Sequence, residues 1–239
     1  MGDLLDLAIS AHGGIDRWAG LSRLTARVSI AGGLWPAKGK AGILDDVSVE
    51  VDRHRQHVEY FPFGADGHRS VYQPNRVTVE SSDGRVLESR DNPRQAFASH
   101  VRETPWDNLD LVYFSGQAMW TYLTTPFLLG MPGFQSTEIE PWNEGDEVWR
   151  RLKVIFPEYV ASHSAEQVFY FDKSGILTRH DYNADILGGV AAANYATEPR
   201  EFSGLIIPTR RRVFARRPDG QPVRDRITVA IDFHNIDVA

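Results

Sequence analysis

The sequence contains no cysteine. That absence excludes disulfides, thiolate zinc sites and cysteine nucleophiles, and it leaves the compartment open. A surplus of positive charge is missing too: Asp and Glu outnumber Lys and Arg by 32 to 26, for a formal net charge of -6. No nucleic-acid partner is expected, because binding to that backbone leans on excess Lys and Arg. No stretch reaches the roughly 18–20 apolar residues that a transmembrane helix needs. The opening MGDLLDLAIS lacks a basic segment and an apolar run of signal-peptide length, and MGDLLD lacks the Ser or Thr expected after a myristoylated glycine. A cytoplasmic protein is the expectation, and a periplasmic or secreted one only where a signal peptide has been removed.

Chemistry-bearing motifs are also scarce. There is no His-x-His and no His-Glu-x-x-His, and His54 and His57 fall on opposite faces of a strand, so no metal site is expected. Neither a glycine-rich phosphate loop nor a Gly-x-Ser-x-Gly elbow occurs, so no cofactor is expected. With no repeat, low-complexity tract or composition shift, residues 1–239 read as a single domain. Oligomeric state is not legible.

What is present is a pattern of alternation. Leu4, Leu5, Ala8, Ile9 and His12 have helical spacing over residues 3–12, stopped by Gly13-Gly14, and a further turn over residues 16–21 buries Trp18. Runs such as LTARVSIAG, VSVEVD and RVTVESS then alternate with period two, and Asp83-Gly84 marks a hairpin. The pattern changes over about residues 92–133, a helical insert rich in aromatics. Pro93 suits the first turn of a helix over about 93–101, and a second helix is expected over about 107–124, weakened slightly by Gly116. Leu111, Phe114, Ala118, Tyr122 and Thr125 form its stripe. Strands resume from STEIEPW to RITVAIDFHNI. About ten or eleven strands with a central helical plug predict a mainly β (α+β) fold, a large antiparallel sheet curled into an unclosed barrel.

Three segments carry a resemblance. AHGG followed by Trp18 and Leu21, the hairpin FYFDKSGILTRHDY, and the closing REFSGLIIPTRRRVFARRPDGQPV with ITVAIDFHNIDV resemble lipoprotein-localisation (LolA/LolB/LppX-like) domains, and the chain also resembles uncharacterised bacterial proteins of this length. The resemblance implies an unclosed β-barrel, plugged by helices, that holds an acyl chain or another apolar molecule.

Candidate site residues follow from strand parity and from the insert. Neighbouring side chains on a strand point to opposite faces, so His180 and Asp181 do not form a dyad. A three-residue loop with Gly175 in the left-handed position sets Tyr170, His180 and Tyr182 on one face, toward the cavity; Arg179 and Asp181 read as a surface ion pair on the other. A one-residue slip changes these partners but keeps His180 with Tyr182 and Arg179 with Asp181. His180, Tyr182 and His100 are the candidates for proton transfer. Trp106, Tyr113, Phe114, Met119, Trp120, Tyr122 and Phe127, with Tyr170, are the candidate ligand contacts. Of Arg210-Arg211-Arg212, strand parity puts Arg210 and Arg212 on one face and Arg211 on the other; Arg212 is the candidate clamp for an anionic head group. The expected function is binding of a hydrophobic or amphipathic small molecule, lipid-like or polycyclic, in the barrel cavity. The alternatives are a cofactor-independent lyase, isomerase, cyclase or hydrolase acting in that cavity, and an interaction module whose groove takes a partner segment.

Overall fold

A computed structural model describes residues 3–65 and 67–239 of the chain; the Met1-Gly2 pair read for lipidation lies outside them. The N-terminal helix α1 (Asp3–Ala11) and the short α2 (Ile15–Ala19) lead into a meander of six strands: β1 (Arg23–Ala31), β2 (Val47–Asp52), β3 (Val58–Phe61), β4 (Arg69–Gln73), β5 (Arg76–Glu80) and β6 (Val86–Asp91). One turn of helix, α3 (Leu34–Ala37), follows β1 and buries Trp35. The insert holds a 3-10 segment (Pro93–Ser99), the helix α4 (Asn108–Thr124) and a second 3-10 turn (Phe127–Gly130). A second meander runs through β7 (Gln135–Glu144), β8 (Glu147–Ile155), β9 (Glu166–Phe171), β10 (Leu177–Ala184), β11 (Val190–Phe202) and β12 (Leu205–Arg216). The chain ends with β13 (Pro222–Val223) and β14 (Val229–Val238).

All of these strands belong to one 14-stranded antiparallel sheet, in which β14 inserts between β1 and β12 and so joins the two meanders. β6 and β7 are its two ends and do not pair with each other, so the sheet is not closed into a barrel. The strand count exceeds the expected ten or eleven because each alternating run forms its own strand and the two-residue β13 is added.

Local chemistry explains the insert. Asn92 takes a left-handed conformation (φ 49°) ahead of Pro93, and the segment stops at Ser99 as a 3-10 helix, short of the expected α-helix. Asp107 caps α4: its carboxylate accepts from the Asp110 amide, and Asp110 reaches back to the Asp107 amide. The expected apolar stripe on α4 understates its burial. Every residue from Leu109 to Thr124 is buried, as befits a helix surrounded by protein. Gly116 marks where α4 meets β4, since a Cβ there would lie 2.3 Å from Cγ of Tyr72. Gly116→Ala is therefore expected to destabilise by about 1–3 kcal/mol through overpacking, despite alanine's better helix propensity. Urea denaturation checks this, and a stabilised variant would contradict the close approach.

Candidate functional site

The β9–β10 hairpin sets the two faces. Gly175 is left-handed (φ 89°) as expected, and Leu177 pairs with Phe171. An irregularity between Leu177 and Arg179 then shifts the register, so Arg179 pairs with Tyr170, His180 with Phe169 and Tyr182 with Gln167. His180 and Tyr182 share a face, as do Arg179 and Asp181. Tyr170 is the correction. The shift moves it to the outer face, where its hydroxyl donates to Asp181 Oδ2 at 2.8 Å.

Nor do Arg179 and Asp181 form a surface pair. Arg179 is 0% exposed. It donates through Nε and Nη2 to the two carboxylate oxygens of Asp181 at 2.6 and 2.8 Å, and its guanidinium lies against Trp142, Tyr170 and Tyr195. A second apolar cluster of Trp149, Tyr170, Ala193, Tyr195 and Phe214 seals this pair on the outer face.

The inner face surrounds the last turns of α4. The hydroxyls of Tyr122 and Tyr182 are 2.9 Å apart. His163 stacks on Tyr182 and His180 on Phe169, each with ring centroids 4.2 Å apart. His180 Nε2 lies 2.6 Å from Gln167 Oε1 and donates to it. Burial pulls the His180 imidazole well below its ordinary value and lowers His163 to about 3. Arg211 lies under this group, its guanidinium carbon 4.5 Å from the Tyr122 ring centre and its Nη2 donating to the Tyr122 carbonyl at 3.1 Å. Both Tyr122 and Tyr182 hydroxyls are pushed up by burial. The interior therefore holds neutral imidazoles and phenols beside one guanidinium.

The other predicted residues are placed as follows. Arg212 faces outward and donates to both carboxylate oxygens of Asp232, at 2.8 and 2.9 Å; the arginine that faces the interior is Arg211. His100 sits at the other end of α4, with Nε2 3.9 Å from Asp110 Oδ2. Asp110 and Tyr122 are twelve positions apart, roughly 18 Å along the helix axis, so His100 does not join His180. Trp106 packs among Phe97, Trp35 and Phe114, and Phe127 stacks on Trp18 at 4.4 Å. Phe114, Met119, Tyr122 and Tyr182 line an interior pocket of about 20 Å³, room for about one water molecule. The ligand-sized barrel cavity expected from sequence is filled by α4.

Larger space lies at the rim. Two lobes of about 350 and 510 Å³ share Pro74, Asn75, Tyr159 and Val160 and so form one groove. The β4–β5 turn makes one wall and the loop after β8 makes the other. Trp120 lines one lobe and Tyr113 the other; seven positions apart, they share a face of α4. Polar groups on the groove include His54, Arg55 and Arg94, and Arg94 donates to the Ser162 carbonyl and to Asp185 at 3.0 and 3.1 Å. No group of three or more His, Cys, Asp or Glu placed to hold a metal ion occurs among the described residues.

Residues that sequence reasoning missed are Arg211, Asn194, His163 and Gln117, all buried on the inner side. For Arg211 a signal existed. Leu205, Ile207, Thr209, Arg211 and Val213 alternate in register, and all five are buried.

The three segments that carry the resemblance meet at one junction. His12 Nδ1 donates to the Ala8 carbonyl at 2.8 Å, and Nε2 accepts from the Leu177 amide at 3.4 Å. The His12 carbonyl accepts from the Ile206 amide at 3.1 Å. Gly13 is left-handed (φ 114°), and a Cβ there would lie 2.2 Å from the Gly204 carbonyl oxygen. AHGG thus fastens α1 to the tips of two hairpins.

No family model matches the chain, and no curated protein matches it. Solved structures do. A DUF1329 family protein from Desulfovibrio piger superposes with a TM-score of 0.52 at 14% identity, covering 98% of this chain and 91% of that one. A LolA superfamily protein from Nitrosomonas europaea gives 0.52 at 10% identity, covering 99% and 92%. A domain assigned to outer-membrane lipoprotein sorting from Vibrio parahaemolyticus gives 0.52 at 6% identity, covering 98% and 91%. These likenesses lend no support to the cytoplasmic location expected from the N-terminus. Among the described residues no helix is long and apolar enough to cross a membrane. At these identities the likeness is one of architecture: the chain has a LolA-like fold, an unclosed β-barrel wrapped on a central helix.

Proposed function

We propose that the protein binds a hydrophobic or amphipathic small molecule, and that the groove over α4 is where it binds. The observation that carries this reading is the groove itself. Its lobes of about 350 and 510 Å³ match the size of small-molecule sites. Pro74, Met131 and Pro157, half-buried, supply apolar surface over a floor of the buried Trp120, Tyr113, Phe156 and Val160, and His54, Arg55 and Arg94 supply polar points for orientation. Tyr159, 59% exposed, stands over both lobes as an aromatic available for contact. The likeness to a LolA superfamily protein and to a lipoprotein-sorting domain agrees with an apolar or lipid-like ligand.

The enzymatic alternative has less support. His180 faces an amide rather than a carboxylate, and burial keeps its imidazole neutral. General-base catalysis works best with a group poised near the working pH.

The test is a titration with N-phenyl-1-naphthylamine, an uncharged probe that brightens in apolar surroundings. Saturable binding is expected. Met131→Glu, which sets a charge in the groove, and Tyr159→Ala are each expected to weaken it by about tenfold, the equivalent of ~1.4 kcal/mol. Absence of saturable binding, or affinities unchanged in both variants, would contradict the groove.

A further inference from the structure

The groove is crossed by a bridge. The turn between β2 and β3 carries Gln56, and the connection between β8 and β9 carries Ala161. Gln56 donates from Nε2 to the Ala161 carbonyl at 2.7 Å, and its Oε1 accepts from the Ala161 amide at 2.8 Å. One side-chain amide thus fastens the first meander to the second. Gln56 lines the lobe of about 350 Å³ and Ala161 the lobe of about 510 Å³, so their contact stands where the lobes meet. Tyr159 and Val160, on the same connection, line both.

Residues 157–161 are lightly held. β8 ends at Ile155 and β9 begins at Glu166, so the stretch lies outside the ladder. Among the described residues its one backbone–backbone hydrogen bond is internal, from the Val160 amide to the Pro157 carbonyl at 3.0 Å. Beyond Gln56, its side-chain tie is the Tyr159 hydroxyl, which donates to the Pro132 carbonyl at 2.5 Å. The base of the loop is firmer. The Phe156 amide donates to the Ala165 carbonyl at 2.8 Å, the His163 carbonyl accepts from the Asp185 amide at 3.0 Å, and Arg94 donates to the Ser162 carbonyl at 3.0 Å. A stretch with few backbone bonds between anchored ends opens at a lower free energy than the strands around it. Below it, Tyr113, Gln117 and Trp120 share a face of α4 at i, i+4 and i+7. That seat is imperfectly paired: Gln117 Nε2 lies 3.4 Å from His163 Nδ1, and Gln117 Oε1 and His163 Nε2 have no partner.

From this arrangement we infer that residues 157–161 are a gate on the groove and that the Gln56 amide is its latch. When the latch releases, the loop swings about its anchored base, the two lobes join, and an apolar molecule reaches Tyr113 and Trp120. When it closes again, the molecule is held beneath the Gln56–Ala161 contact. For its ligand this inference rests on the groove reading, whereas the opening itself is a property of the ligand-free chain.

The absence of cysteine makes the test direct, because any thiol introduced is the only one. Val160→Cys puts it under the loop, at a side chain 7% exposed; Val154→Cys puts it on β8, at one 0% exposed that only wider unfolding uncovers. Labelling of the folded, ligand-free protein by Ellman's reagent is expected to be at least about tenfold faster at Val160→Cys than at Val154→Cys. Adding Gln56→Ala is expected to speed it on the order of tenfold further at Val160→Cys, as for loss of the latch hydrogen bonds, and to leave Val154→Cys unchanged. Equal rates at the two thiols, no acceleration by Gln56→Ala, or the same acceleration at both would overturn the gate. Stopped-flow mixing with N-phenyl-1-naphthylamine supplies a second readout that needs no thiol. Gln56→Ala in the cysteine-free chain is expected to speed association on the order of tenfold, where a merely structural loss would weaken binding without speeding it; association unchanged or slowed would overturn the gate. No saturable naphthylamine binding in wild type would contradict the groove reading alone, and the labelling rates would still decide whether the loop opens at Gln56.

Discussion

Asp181→Ala is expected to destabilise the protein by about 3–5 kcal/mol, the range for breaking a buried pair from one side. The size follows from what remains. Arg179 would keep its aromatic neighbours, Glu144 at 3.6 Å and the Gly220 carbonyl, which accepts from Nη2 at 2.5 Å, but would lose both oxygens that meet Nε and Nη2 directly. Tyr170 would lose its acceptor, and Arg216 its carboxylate at 3.3 Å. Replacing both partners by apolar residues, as in Arg179→Met with Asp181→Leu, is expected to recover much of the loss, because no unpaired charge is then buried. Denaturant midpoints of the two single variants and the double variant check this. Additive losses would mean that Arg179 and Asp181 do not act as a pair.

A second large effect is expected with acid. Burial lowers His12 to about 4 and His163 to about 3, and it takes His180 well below its ordinary value. The unfolded chain titrates these groups near about 6.5. Between pH 6.5 and about 4 the unfolded state therefore binds protons that the folded state refuses, and stability falls as pH falls. Each such histidine contributes a slope of about 1.4 kcal/mol per pH unit, so three give about 4 kcal/mol per unit. Burial raises the Asp181 and Asp110 carboxyls, which opposes the trend because the folded state then takes up protons more readily. Two carboxyls do not outweigh three imidazoles across this window. Urea midpoints at pH 7.5, 6.0 and 5.0 are expected to fall steeply. His163→Phe, which keeps the stack on Tyr182, is expected to remove about a third of the slope; a flat profile from pH 6.5 to 5 would contradict the buried, neutral imidazoles.

Much of the architecture was legible because it rests on periodicity. Alternation over β1, β2 and β5 and the Asp83-Gly84 turn are local signals, and the unclosed sheet follows from many strands with a helical interruption. The start of α4 lies within a residue of the expected one because the apolar stripe from Leu111 to Thr125 is a local signal as well. The site was less legible, for three physical reasons. The irregularity after Leu177 sends Tyr170 to the outer face, and no residue there announces it. Arg179 and Asp181 look like a surface pair until Trp142, Tyr170 and Tyr195 cover them, a contact that depends on distant strands. Arg211 and Arg212 are told apart by parity alone, and the choice of Arg212 set aside the apolar register of β12, which runs through Arg211. The groove is built from loops near Pro74, Arg94 and Tyr159 that no periodic pattern links.

The central claim is that the protein holds a hydrophobic or amphipathic molecule. Native mass spectrometry of the purified chain, before and after incubation with oleate, tests it most directly. The account predicts a discrete bound mass of a few hundred daltons (~300 for oleate), within the drug-sized range of such sites, which disappears on denaturation. The bare chain alone in both spectra, with oleate in excess, would contradict it.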